Sequence, residues 1–247
     1  MIRCERVVEG VGRVFYRPGD GVFFGERWSR RVKSTGPSIF GALPSRLAIG
    51  SIFHTIRRML LAFFKPFGVL CQFTPDQPGQ RTLADFRSPP GVYPLGRLDL
   101  DSEGLLLLSD EAGINNRLLD PSAAHPRTYL AEVENIPTEV ALQKLRRGGI
   151  DLKGHRTLPC EARLLELPPD LPPRDPPVRF RKNIPTGWLE LTLVEGKNRQ
   201  VRRMTAAVGF PTLRLVRVAI GRCGLEKLEP GRWRELATNE RALIWQR

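Results

Sequence analysis

The chain has little that would hold a metal or a disulfide framework. Its four cysteines, Cys4, Cys71, Cys160 and Cys223, lie far apart and form no C-x-x-C pair. Neither a zinc site nor a set of bridges is indicated, and a reducing, cytoplasmic compartment fits. The histidines, His54, His125 and His155, are equally scattered and read as surface or turn residues. Long apolar runs are missing too. Even SIFHTIRRMLLAFFKPF carries His54, Arg57, Arg58 and Lys65, well short of the roughly 18 uninterrupted apolar residues of a membrane span. No acid occurs between Glu26 and Asp76, as in organelle transit peptides, but Glu5 and Glu9 near the start argue against one.

Positive charge, by contrast, is plentiful. Lysine and arginine number 39 against 26 acids, for a formal net charge of +13 and a pI near 10.4. A polyanionic partner is favoured, nucleic acid before membrane. The excess is uneven: residues 1–58 hold 11 basic and 4 acidic side chains, and the remaining 189 hold 28 and 22. Any nucleic-acid surface in the larger part must therefore come from local arrangement. At 247 residues and 41% hydrophobic the chain can bury a substantial core.

Residues 1–58 show no sustained helical or alternating periodicity and read as a basic extension, with a folded domain over 59–247. The domain opens at MLLAFFKPFGVLCQFT, an apolar strand-like run broken by Lys65-Pro66 and Gly68. Leu105–Leu108 suits a buried strand ended by the turn residues DEAG. RTYLAEVEN alternates, with Tyr129, Ala131 and Val133 on one face. Thr138 can cap a helix from Glu139 to Arg147 that Gly148-Gly149 closes. PPDLPPRDPP, with six prolines in residues 168–177, must be an extended connection. WLELTLVEG is a second alternating strand. No repeat is apparent.

That strand leads into KNRQVRRMTAAVGF, which predicts a helix starting near Arg199 with Asn198 as N-cap and Gly209 as stop. Val201, Met204, Thr205 and Val208 cluster on one side, and Arg199, Arg202 and Arg203 on the other. From Lys197 to Arg217 there are six basic residues and no acid, an arrangement suited to phosphate oxygens. A solvated amphipathic helix would have the same composition. The turn before it favours a cleft at a sheet edge, where Gln200 and the arginines would lie.

In GRLDLDSEGLLLLSD, Asp99, Asp101 and Glu103 stand before a leucine run, with Gly96 and Gly104 allowing close bends at both ends. An aspartate there is a solvated turn residue, an Asx-type hydrogen bonder, or a nucleophile or base. The residues alone do not choose among these.

The ordered set KPFGVL, GRLDLDSEGLLLLSD, RTYLAEV and EGKNRQVRRMTAAVGFPTLRLVR, over about residues 60–236, resembles the RsuA-type ribosomal pseudouridine synthases. The resemblance implies an α+β fold with a mixed, mainly antiparallel sheet, surrounding helices and a central RNA-binding cleft. It also implies isomerisation of a specific uridine in 23S ribosomal RNA without metal or cofactor; a monomer is expected, though the sequence itself does not fix the oligomeric state. It makes Asp99 the catalytic carboxylate, with Asp101 and Glu103 shaping its loop. Tyr129 becomes the base-stacking tyrosine, Arg202 the partner of Asp99, and Val201 the aliphatic residue beside the target base. Arg97, Arg199, Gln200, Arg203 and Lys65 are then expected to contact RNA. The chemical path, whether ring attack, ribose attack or a glycal intermediate, stays open. Residues 1–58 lack the helical pattern of the S4 domain that many such enzymes carry, so either Met59 is the native start or the segment is a basic extension adding nonspecific RNA affinity. The rival reading is a noncatalytic RNA-binding or ribosome-assembly protein using the same cleft.

Overall fold

The structure, a computed structural model, describes residues 58–179 and 183–246. What the sequence suggests for residues 1–57 lies outside the described residues. The strands are β1 (Leu60–Lys65), β2 (Val69–Leu70), β3 (Arg81–Thr82), β4 (Tyr93–Leu95), β5 (Glu103–Ser109), β6 (Arg127–Glu134), β7 (Glu161–Leu165), β8 (Thr186–Leu193), β9 (Thr212–Ile220), β10 (Cys223–Gly224) and β11 (Trp233–Glu235). The helices are α1 (Ile114–Leu119), α2 (Glu139–Arg147), α3 (Gln200–Ala207) and α4 (Thr238–Leu243).

One sheet organises the described residues, in the order β11-β1-β5-β9-β6-β8-β7, with β4 on β5 and β10 on β9. Every pairing in it is antiparallel except β5 with β9, which is parallel. The expected mixed, mainly antiparallel α+β architecture is what forms.

The two halves of the sheet differ in how they are covered, and the sequence follows the difference. In β1 and β5 both faces are buried, so the strands read as continuous apolar runs rather than alternating ones. Leu60, Ala62, Phe64, Leu105 and Leu107 enter one core, and Leu61, Phe63, Leu106 and Leu108 enter another. In β8 only one face is covered: Leu189, Leu191 and Leu193 are buried, while Trp188, Glu190 and Thr192 are partly exposed. Helices α2 and α3 cover that buried face with Leu142, Leu145, Val201 and Met204. Each such side chain contributes about 1.5–3 kcal/mol on burial.

Helix α2 forms over the expected residues, and the Thr138 hydroxyl accepts from Ala141 N. Helix α3 departs from expectation. Its N-cap is Arg199 and not Asn198, in the left-handed conformation (φ 49°) with no side-chain cap. A non-glycine residue there costs about 1–3 kcal/mol, and the conformation sends the Arg199 guanidinium to Asp101, as described below. Residues 168–177 form an irregular connection, as the prolines require. His125, read as a surface or turn residue, lies in the connection ahead of β6 and is buried, its ring edge-on to Trp245 at 5.1 Å between centroids. Among the described residues no helix is long and apolar enough to cross a membrane.

The strand ladder that joins the halves has only two paired positions, Glu103 with Val216 and Gly104 with Arg217. Gly104 has φ 105°, and a Cβ there would collide with the Arg217 carbonyl oxygen. Only glycine lets the strands approach this closely. The candidate site opens on this seam.

Candidate active site

A cleft of about 790 Å³ is lined from one half by Arg97, Asp99 and Ser102, and from the other by Tyr129, Val201 and Arg217. Asp99 sits in the connection from β4 to β5, and the backbone on each side of it is held. Ahead of it, the Cys71 thiol lies 3.3 Å from the Leu98 carbonyl and 3.2 Å from the Leu98 amide, donating to one and accepting from the other. Behind it, Gly68 N donates to the Leu100 carbonyl at 2.8 Å, and Ser102 N donates to the Asp99 carbonyl at 3.1 Å. The KPFGVLC segment is thus the wall against which the aspartate loop is fixed.

The three acids of the loop meet three different fates. Glu103, the first residue of β5, is buried in a two-point pair with Arg214, both bonds 2.9 Å. Asp101 accepts both ends of the Arg199 guanidinium at 2.8 Å, and Arg202 Nε lies 3.4 Å from its Oδ2. Burial pushes the Asp101 carboxyl up, but the hydrogen bonds from Arg199 and the charges of Arg202 and Arg199 outweigh it, so the group is held below the usual range. Asp99 keeps a looser contact, 3.9 Å from its Oδ2 to Arg199 Nη1, with about a third of its side chain exposed to the cleft.

Arg202, expected to pair with Asp99, makes its close contacts with Asp101 and Thr212, though the charge of Asp99 also acts on it. Its Nη2 donates to the Asp101 carbonyl at 2.7 Å and its Nη1 to the Thr212 carbonyl at 3.2 Å. Burial lowers its pKa, and Asp101 opposes that. The reason is geometric: Arg202 projects from the first turn of α3 beneath the loop, so it holds the loop's backbone rather than the carboxylate of Asp99.

Lys65, expected to contact RNA, is fully buried and donates to the Pro66 carbonyl at 2.8 Å. It ends β1, opposite Gly104 of β5. Burial lowers its pKa to about 8, against the pull of Cys71, Glu103, Asp101 and Asp99. Gln200 lines the cleft but is itself buried, and its amide is used internally, toward Lys197 N, Glu195 and Met204. Val201 lies buried on the cleft wall, and Arg97 is exposed on its rim. Arg203 is half-buried on α3 and does not line the cleft.

The cleft also holds residues the sequence did not single out. Arg127 and Arg217 flank Tyr129. At the far wall Glu195 accepts from Leu158 N at 2.8 Å and stands 2.7 Å from His155 Nε2. Period-two spacing from Tyr129 would have found Arg127; no local pattern marks Arg217 or Glu195.

The cleft thus gathers a partly exposed carboxylate, an aromatic ring and several cations, and the comparisons with known proteins give its class. Residues 59–207 match the family described as RNA pseudouridylate synthase, and the chain belongs to that family, in its RsuA-type branch. It is 55% identical over 177 residues to ribosomal large subunit pseudouridine synthase E of Xanthomonas campestris pv. campestris, covering 71% of this chain and 94% of that one. With the protein of the same name from Vibrio vulnificus it shares 49% over 180 residues, 73% of this chain and 76% of that one. Among solved structures, one described as a pseudouridylate synthase superposes with a TM-score of 0.62 at 26% identity, covering 76% of this chain and 74% of that one.

Proposed function

We propose that this pseudouridine synthase converts one specific uridine of 23S ribosomal RNA, acting as a cytoplasmic monomer through a catalytic domain of residues 59–247 that a basic extension, residues 1–58, precedes. Asp99 is the catalytic carboxylate in this reading. The observation that carries it is the placement of Asp99 and Tyr129, from opposite halves of the sheet, on the walls of one cationic cleft. The names of the Xanthomonas and Vibrio relatives support the large-subunit substrate.

A uridine in folded RNA must be flipped out to reach a carboxylate, at a cost of a few kcal/mol, roughly, in lost stacking and pairing. Stacking on an aromatic ring returns about 1–3 kcal/mol, and Tyr129 supplies the ring. The uracil then leaves C1′ through N1, turns, and rejoins through C5; the C5 hydrogen is lost to solvent and N1 gains a proton. Asp99 serves as nucleophile or base at this step, since its carboxylate has an open side to the cleft. Arg202 is a positioning residue, fixing the Asp101 backbone two residues further on.

The test is release of tritium from 5-labelled uridine in ribosomal RNA. Wild-type protein releases it, and Asp99→Asn binds the RNA but releases none. Undiminished release by the variant sinks the catalytic assignment. No release by the wild type on unmodified RNA favours the noncatalytic binding reading.

A further inference from the structure

We infer that Arg217 and Arg127 form a phosphate subsite inside the cleft, which takes a backbone phosphodiester of the RNA strand next to the base stacked on Tyr129. The inference rests on the cleft receiving RNA, as proposed above, and names a site within it.

Strand register places the two arginines. Along the contact of β6 with β9, Ala131 is opposite Leu215, Leu130 opposite Val216 and Tyr129 opposite Arg217, so Arg217 shares the Tyr129 face and both line the cleft. Val216 and Val218, which alternate with Arg217, turn to the apolar core. The register shifts just beyond, before Thr128 pairs with Ala219, so the regular pairing ends beside the two cleft residues. Arg127 lies two residues before Tyr129 on the same strand, hence on the same face. Directly opposed residues are about 5 Å apart and i, i+2 neighbours about 7 Å, a span that suits a phosphate beside a stacked base.

Their bonding leaves charge unanswered. Arg217 is only 4% exposed, and its Nε donates to the Leu105 carbonyl at 2.8 Å. Its Nη2 is buried and has no hydrogen-bond partner. Arg127 donates only to carbonyls, those of His125 at 3.4 Å and Leu118 at 3.2 Å. Burial lowers the Arg127 pKa, and the charge of Arg217 adds to that. Among the described residues neither arginine makes an ion pair, whereas Arg199, Arg202 and Arg214 all do. Two partly desolvated cations call for an anion. A uracil carbonyl could accept a hydrogen bond but would not neutralise them; a phosphodiester does both.

The experiment is the salt dependence of binding of a large-subunit ribosomal RNA transcript to the full chain, compared among wild type, Arg127→Gln and Arg217→Gln. Each variant is expected to bind about tenfold more weakly at low salt, with the log-log slope reduced by about one. A purely structural role would not move the slope. Weaker binding at unchanged slope in both variants, the outcome for a uracil carbonyl, overturns the inference, as does unchanged binding in both. If Arg217→Gln fails to fold, Arg127→Gln carries the same comparison and Arg217→Lys is expected to retain the slope. Tritium release measured on the wild type in the same samples reads the proposed reaction separately, so its absence would count against that reading without touching the slope.

Discussion

Arg199 grips Asp101 with both ends of its guanidinium, each bond 2.8 Å, and stops 3.9 Å short of Asp99. One acid of the loop is thereby held in a two-point pair while the other keeps only a looser ion-pair contact. Asp101→Asn is expected to slow tritium release by about 10- to 100-fold with RNA binding little changed, the signature of a lost positioning contact. Asp99→Asn should abolish release. If Asp101→Asn proves inactive in single-turnover assays while Asp99→Asn retains activity, the two roles are reversed.

Lys65 gives the molecule a pH dependence of definite sign. Its native pKa is about 8 because of burial, against 10.5 when exposed. Between those values the unfolded chain holds more protons than the native one, so stability contributed by this group rises with pH through that window. From pH 7.5 to 9.5 the wild type should gain about 2 kcal/mol relative to Lys65→Met. Urea unfolding of both proteins at the two pH values measures it, and parallel pH profiles would refute it.

The buried Glu103 and Arg214 pair is a liability when halved. Glu103→Leu leaves the Arg214 guanidinium buried with only the Pro172 carbonyl as acceptor, at a cost of about 3–5 kcal/mol. The double variant Glu103→Leu with Arg214→Met should recover most of that loss in thermal or denaturant unfolding. A double variant no more stable than the single one would mean that the pair itself, and not the orphaned charge, sets the cost.

Tyr129 should act through its ring. Tyr129→Leu is expected to lower kcat/KM by about 1–3 kcal/mol of lost stacking, roughly 5- to 150-fold, while Tyr129→Phe keeps most of it. Steady-state tritium release separates them, and equal losses in both would move the role from the ring to the hydroxyl.

Much of this fold can be read from local pattern because local pattern reports burial. The apolar run of β5 and the alternation of β6 and β8 each record how many faces of the strand are covered, and Thr138 with Gly148 marks both ends of α2. The motifs likewise carried the family and the cleft. What they could not carry was pairing. Asp99, Asp101 and Glu103 differ little in sequence, and their fates depend on Arg199 and Arg214, both about a hundred residues away. Asn198 looked like a cap, yet the contact of Arg199 with Asp101 coincides with a left-handed cap that local preference disfavours. Lys65 was expected to contact RNA, but pairing of β1 with β5 buries it.

The sequence by itself determined the strands and helices, the excess of positive charge and the set of motifs, because hydrophobic period, turn residues and composition act over a few positions. Only the tertiary structure decided which cation each acid of the loop meets, where Arg202 points and that Arg217 faces Tyr129. Each of these depends on strand register and on contacts between halves of the sheet whose joining ladder has two paired positions. Which residue of β9 lies opposite Tyr129 is set by pairing with a strand far away in the sequence, which no local window contains.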